Sequence, residues 1–406
     1  MSAPDRRLYL FDDVRADAWA PFSASRPAGE LLFGRWRLRE RVERFAGVRA
    51  SGHLCRAGLA RYVEPGAPPV VAPVAVRGGA TRLLWSSRAV PDPDGLPAPG
   101  AANLWVGAAL AGAILGPDAE TPDAAWLAEP TPLPGLADLE LAGEWLTHAW
   151  DLVARGPGRL AADLASTLAE GMQRIPEGVW RLGEGALALG SDVRLEPGVV
   201  LDTRAGPIEL ANGVEVRAGA RLAGPLYAGP GSRLLGGAIS SLSAGPMSYL
   251  RGEIEETTVL GYTNKAHDGF LGHAYLGAWV NLGALTTNSD LKNNYGSIRV
   301  GPPDATVDTG LTKLGCLIGD HVKTGIGVLL NTGTVIGAGS NVYGSEMPPK
   351  WIPPFSWGRG DRLQAYRREA FLDTAAAVMP RRGVEADERV LGWLGDVWDA
   401  ARGEAP

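Results

Sequence analysis

The stretch Ile318–Val342 reads IGDHVKTGIGVLLNTGTVIGAGSNV. Ile318, Thr324, Leu330, Ile336 and Val342 stand six residues apart, and a small residue (Gly319, Gly325, Asn331, Gly337) follows each of the first four. A sustained period of six is a β-helix signature. Six residues make one short strand plus a corner, and three such units close a triangular coil of about 18 residues. The aliphatic side chain points inward on each face, and the Gly or Asn after it is expected to accept the corner geometry that other residues resist. One coil cannot bury its own stacked faces, so many coils are required. The competing fold is a β-sandwich with turns at similar spacing. Five sites in phase, with only Thr324 not aliphatic, argue against it.

The period extends upstream. Leu189, Leu195 and Leu201 are six apart, and Ile208, Val214, Ala220 and Leu226 repeat the step after one inserted residue. Leu276-Gly277 and Leu282-Gly283 show it again, and the segment 285–312 interrupts it as an expected protruding loop. Downstream the period stops at an aromatic segment, Trp351 to Gly358. Helices are then expected over Asp361–Val378 and around Val390, Leu391, Leu394, Val397 and Trp398, either capping the open end of the solenoid or packing on a neighbouring subunit.

The N-terminal third reads differently. Leu8-Tyr9-Leu10-Phe11 is a short apolar run ending at Asp12-Asp13, as a buried strand would. Leu38, Val42 and Phe45 predict a helix over Gly34–Phe45 stopped by Gly47. Short apolar runs then alternate with helical patterns and Pro-rich loops, which indicates an α/β unit. Residues 138–175 read as helix-rich. The expected organisation is therefore an α/β domain over 1–135, a helical connector over 136–180, a left-handed parallel β-helix over 181–345 and a C-terminal helical cap over 346–406.

Composition narrows the function. The 406 residues carry a net charge of −6 with both signs interspersed, which disfavours a nucleic-acid surface. Two cysteines, Cys55 and Cys316, form neither a ligand cluster nor a disulfide framework, which suits a reducing compartment. The charged N-terminus has no long apolar run, and no later stretch reaches the roughly 18 uninterrupted apolar residues of a membrane span. A cytoplasmic location without membrane attachment is expected.

The richest polar stretch is Gly261-Tyr262-Thr263-Asn264-Lys265-Ala266-His267-Asp268-Gly269-Phe270-Leu271-Gly272, followed by Asn281-Leu282-Gly283-Ala284 and Leu291-Lys292-Asn293-Asn294-Tyr295-Gly296. With Pro353 to Gly358, these motifs resemble the acyltransferase domain of the GlmU family, the bifunctional enzymes that acetylate glucosamine 1-phosphate and uridylylate the product. They resemble still more a GlmU-related group of sugar nucleotidyltransferases. The resemblance covers roughly 190–360 and reaches the N-terminal domain through Leu10-Phe11-Asp12-Asp13 and Ser25-Arg26-Pro27.

The resemblance implies a transferase acting on a sugar phosphate or nucleotide sugar in nucleotide-sugar or cell-envelope glycan synthesis. It implies acetyl-CoA as acyl donor, lying between subunits near Lys313 to Lys323, and a homotrimer. It makes His267 the general base, since imidazole accepts a proton near neutral pH. It makes Asn264, Lys265, Asn281, Lys292, Asn294 and Tyr295 the acceptor-binding set. In the N-terminal domain it gives phosphate to Arg26 and Mg2+ to Asp12 or Asp13.

The sequence also departs from that family. Phe270 replaces a Tyr, and Glu255 and Gly237 stand where cations hold the sugar phosphate. After Asp13 the chain reads Val14-Arg15-Ala16-Asp17-Ala18, with no glycine to let backbone N–H groups cradle a phosphate. Asn103 stands where a metal-holding Asp is sought, and nucleotide turnover by residues 1–135 is expected to be weak. Three other readings stay open: a structural role for His267, a zinc site of His267, His273 and His321 as in β-helical carbonic anhydrases, and a non-catalytic trimeric scaffold with a degenerate N-terminal domain. The insertion at 285–312 breaks the register that the zinc site needs.

Overall fold

A computed structural model describes residues 6–76, 78–97, 100–168 and 175–403. The chain divides into two compact units: Met1–Leu31 with Trp36–Ala149 and Ala386–Pro406, and Leu32–Arg35 with Trp150–Glu385.

The first unit is built on a six-stranded sheet. The apolar run at Leu8 forms the strand Arg6–Phe11, flanked in parallel by Ala50–Leu54 and by Thr81–Ser86. Ala109–Leu115 joins the latter antiparallel, then Ala102–Val106, with Ala137–Leu141 parallel at the edge. That edge strand corrects the helix-rich reading of 138–175. Helix begins only at Asp151–Ala154 and Gly156–Thr167, and residues 169–174 lie outside those described. The expected helix at Gly34–Phe45 starts later, at Leu38, and ends at Ala46. Its first residues are held elsewhere: the Leu32 N–H donates to the Tyr275 hydroxyl, the Ser243 hydroxyl donates to the Gly34 carbonyl, and Arg35 pairs with Glu209, all within the second unit. The expected C-terminal helix is Glu388–Gly403, and it folds with the first unit, not onto the solenoid. Trp393 packs edge-on against Tyr62 and Asp396 accepts from Arg61.

The second unit is a parallel β-solenoid of about 10 turns over residues 180–358. Inward aliphatic residues stack coil on coil: Leu276, Ile318, Ile336 and Ile352 pair in successive coils, as do Leu201 and Leu222. All are buried in one continuous core. The small residue after each aliphatic one has a different purpose from the expected corner. At Gly337 an added Cβ would lie 2.2 Å from Pro354 N of the next coil, so glycine permits close stacking there. The corner comes two residues later, where Gly327, Gly333 and Gly339 have φ near +70°. From the middle of the solenoid to its last coil, large residues occupy such left-handed corners: Glu256 and Tyr262, then His273, Trp279 and Leu285, then His321 and Phe355. Left-handed backbone is unfavourable for such residues, so the surrounding packing must hold it.

The interruption in the period is an excursion that leaves the coil after Asp290, contains a hairpin of Arg299–Val300 with Val307–Asp308, and rejoins where Leu291 bridges Lys313. At the far end, residues expected to begin a helix at Asp361 instead form the strand Arg362–Ala365, antiparallel to Ser356–Arg359. It covers the last coil's open edge. The helix follows, over Arg368–Val378.

Lys265 occupies an inward position of this core. Leu250 pairs with it in the preceding coil, its side chain is 2% exposed, and Nζ donates to the carbonyls of Arg251 and His267. Lys265 is thus a core residue and not part of a binding surface, which corrects the sequence expectation. Burial pushes its ammonium down to about 8.

Two tests follow from the solenoid. Gly337→Ala forces a Cβ into the next coil's backbone and is expected to lose at least about 1–3 kcal/mol of stability. Gly327→Ala, which meets no atom within 4 Å but has φ +71°, should lose about 1–2 kcal/mol; denaturant unfolding of both variants checks the order. Because the folded-state pKa of Lys265 lies below its unfolded value of 10.5, the unfolded chain binds the extra proton between pH 8 and 10.5, and Lys265 contributes stability that rises across that window. Relative to wild type, Lys265→Met should therefore look more favourable at pH 7 than at pH 10, by on the order of 2–3 kcal/mol. A difference that does not change with pH would remove the buried charge from the account.

Candidate functional sites

In the first unit, the strand Arg6–Phe11 lies between two parallel neighbours whose connections run opposite ways. Open α/β sheets place ligands outside the carboxyl ends of the strands at such a switch point. A cavity of about 410 Å³ opens there, with Asp12, Asp17, Leu54, Cys55, Arg56 and Leu127 among its lining residues. Where a glycine loop would stand, the chain makes the one-turn helix Val14–Asp17, capped by the Asp13 carboxylate, which accepts from Ala16 N at 2.9 Å. The same carboxylate is gripped by Arg88 through two hydrogen bonds. Asp13 is therefore held inside the protein by Arg88, and of the two candidate Mg2+ ligands Asp12 is the one that lines the cavity. Asp12 and Asp17 are the carboxylates that share the cavity. Burial raises the pKa of Asp12. Burial and the neighbouring Asp12 carboxylate push Asp17 up to about 6. Two carboxylates are what Mg2+ takes from protein when substrate phosphates supply other ligands.

Arg26 is fully buried, and its guanidinium makes hydrogen bonds of 2.9 and 2.7 Å to the two oxygens of Glu64. The cation that the resemblance gave to phosphate is thus neutralised internally. Asn103 is likewise structural: its side chain both donates to the Leu133 carbonyl and accepts from the Leu133 N–H. Arg56 is the cation that lines the cavity.

In the second unit, the left-handed corners place side chains in an outward column. Tyr262 and Trp279 stack with ring centroids 4.3 Å apart, and His321 continues the stack on Trp279 at 6.0 Å. Beside the rings runs a polar ladder on consecutive coils, Asn264, Asn281 and Lys323, with the Asn264 amide donating to Asn281 Oδ1 at 3.0 Å. The Arg368–Val378 helix packs Phe371 against His321 and Phe355, which sets the helix beside this column. Between helix and column lies a cavity of about 560 Å³, lined by Tyr249, Tyr262, Asn264, Trp279, Asn281, Lys323, Thr374, Arg381 and Arg382. Arg382 stacks its guanidinium 3.8 Å from the Tyr249 ring centre. Lys323 donates to the Trp279 carbonyl at 2.6 Å, and burial pushes its ammonium down to about 7.

The expected acceptor set is only partly brought together. Asn264 and Asn281 line the cavity. His267 is exposed and is not among its lining residues. Lys292, Asn294 and Tyr295 belong to the excursion from the coil: Lys292 donates to the Ser297 carbonyl, Asn294 accepts from Gly296 N, and Tyr295 is 71% exposed. His267, His273 and His321 do not form a metal-binding group. Tyr262 and Lys323 were named from the sequence, one within the motif and one at the edge of the expected acetyl-CoA region, but Trp279, Arg381 and Arg382 were missed. The last two lie beyond the repeat on another element, although Trp279 could have been found as a large residue six positions from other corners.

Among the described residues no helix is long and apolar enough to cross a membrane. A protein of Sulfurisphaera tokodaii, described as a bifunctional sugar-1-phosphate nucleotidylyltransferase/acetyltransferase, is 30% identical over 113 residues. That match covers 24% of this chain and 28% of the relative's length. Residues 8–171 match the family described as sugar nucleotidyl transferase. Residues 8–171 thus resemble a sugar nucleotidyl transferase domain, and over a shorter stretch the chain is similar to a bifunctional sugar-1-phosphate nucleotidylyltransferase/acetyltransferase.

Proposed function

We propose that this protein is a sugar-phosphate transferase with two sites, a nucleotidyl-transfer crevice in the first unit and an acyl-transfer pocket in the solenoid. The observation that carries the second site is the 560 Å³ cavity, which combines stacked rings, an amide pair, two guanidinium groups and the Lys323 amine. The rings, stacked on one another, give the cavity an apolar border, amides pair with hydroxyls, and guanidinium groups match phosphate oxygens in fork geometry. A sugar phosphate or nucleotide sugar meets all three. The relative's second described activity, acetyl transfer, supports acetyl-CoA as donor. In that reaction the acceptor amine attacks the thioester carbonyl, loses its proton, and expels the CoA thiol.

The proton needs an acceptor inside the cavity. Lys323 meets that need, because at neutral pH a substantial fraction is free amine, whereas His267 stands outside. In the first unit, a sugar phosphate oxygen attacks the α-phosphorus of a nucleoside triphosphate and pyrophosphate leaves. Asp12 and Asp17 would hold Mg2+, which offsets phosphate charge. A binding-only first unit is the second reading, favoured by the internal pairs Arg26–Glu64 and Asp13–Arg88, which leave few groups for a triphosphate. We also propose a homotrimer in the cytoplasm, which light scattering tests: a stable monomer at micromolar concentration would exclude it.

For the solenoid site, Lys323→Met should lower acetyl transfer to amino-sugar phosphates by about 10²- to 10⁴-fold per folded protein, while His267→Ala changes it little. The wild-type rate should rise with pH through about 7 as Lys323 loses its proton, and Lys323→Met should lack that rise. The reverse ranking of the two variants would return the base to His267. For the first unit, pyrophosphate release from UTP or dTTP with sugar 1-phosphates and Mg2+ should be slow, and Asp17→Asn should abolish it. Turnover that survives Asp17→Asn but not Arg26→Ala would overturn the proposed crevice. No release with any nucleotide would leave the binding-only reading.

A further inference from the structure

Glu255, whose charge is opposite to what a phosphate site requires, has a different environment from the cavity. One ligand atom each from Glu255, His273 and Asp290 lie within 4.8 Å of one another, the sole such group of three among the described residues. We propose that these three residues form a binding site for a divalent transition-metal ion. The site goes beyond the transfer reaction and uses none of the groups assigned to it.

The solenoid brings the three together from successive coils. Glu255 lies in the strand Glu253–Gly261 and pairs in register with Gly272 of the next coil, so His273 falls beside it at a left-handed corner. Asp290 follows the strand Thr287–Asn288. Backbone bonds fix all three: His273 N donates to the Glu255 carbonyl at 3.0 Å, Gly315 N to the His273 carbonyl at 2.8 Å, and Leu314 N to the Asp290 carbonyl at 2.9 Å. Asn288 clamps Gly272 from both sides, accepting from its N–H at 3.0 Å and donating to its carbonyl at 2.9 Å. A Cβ at Gly272 would lie 2.8 Å from Asp290 Oδ2, so the missing side chain is what lets the carboxylate reach across.

Charge points to a cation. Asp290 Oδ2 is 2.8 Å from His273 Nδ1, and Glu256 Oε2 is 3.2 Å from Nε2. Three carboxylates thus surround one imidazole, and no lysine or arginine pairs with any of them among the described residues. An ion taken up here replaces the direct Asp290–His273 hydrogen bond with bonds from both groups to the metal. His273 then ligates as neutral imidazole through Nδ1. Its Nε2–H donates to Glu256, the carboxylate–histidine–metal arrangement that fixes ring orientation. One nitrogen and two carboxylate oxygens suit Zn2+ or Mn2+, and three protein ligands leave a coordination position open. The two cysteines are no rivals for the ion, since burial raises both thiols and pushes Cys316 up to about 12.

The test titrates Zn2+ into the EDTA-stripped full-length protein by calorimetry and reads binding without any assay of transfer, so its outcome is independent of the proposed function. Wild type should bind one ion per chain. Glu255→Gln, His273→Gln and Asp290→Asn should each weaken that site by at least about tenfold, and His267→Ala should leave it unchanged. If His273→Gln does not fold, Glu255→Gln decides, because the Glu255 carboxylate makes no hydrogen bond among the described residues and its amide is isosteric. Absence of saturable binding, or binding of equal affinity in wild type and in Glu255→Gln and Asp290→Asn, would overturn the proposal.

Discussion

A coil of a parallel solenoid satisfies its backbone only by lying flat against the next coil, and this one constraint governs most of the second unit. Each short strand donates and accepts along the stack, so neighbouring coils must approach to ladder distance at every strand. Where a side chain would stand between coils, glycine is required, as at Gly337 against Pro354. Where the chain turns, the backbone becomes left-handed, and glycine is the relaxed choice there. Large residues at Tyr262, His273, Trp279 and His321 are held against that preference by the stack. Because their corners repeat in register, their side chains form columns. The column of rings lines the cavity, and the neighbouring corner at His273 gathers carboxylates.

The first unit depends on a different arrangement, a sheet whose central strand is the apolar run at Leu8. Charge is buried beside it in complementary pairs. Glu30 accepts from Arg39 at 2.5 Å and lies 2.8 Å from His53 Nε2, with all three side chains almost wholly buried. Breaking one member of such a group strands the others without compensation. The same logic removes Arg26 and Asp13 from ligand chemistry, since each already has its counter-charge, while Asp12 and Asp17 line the cavity with no salt bridge among the described residues. The raised pKa of both carboxylates is the electrostatic mark of that difference.

The sequence by itself determined the solenoid. A strict six-residue spacing of aliphatic residues has one economical three-dimensional solution, and the inward positions from Ile318 to Val342 are buried as that solution requires. It also determined the strand at Leu8–Phe11, the helix around Leu394 and the polar interruption near residue 290, because each is written in local pattern. Tertiary structure alone decided which polar residues come together around the cavities. Lys265 and His267 stand in one motif, yet the strand Asn264–Lys265 turns Lys265 into the core, and His267, beyond the strand's end, is exposed. Arg381 and Arg382 lie far along the chain from Asn264 and meet it only because a helix packs on the corner column. Glu255, His273 and Asp290 are unremarkable in sequence and converge only because consecutive coils stack their corners. A period fixes which residues point inward. Charge pairing and the contacts of outward side chains depend on neighbours many coils or elements away, and those distances are set only when the chain is folded.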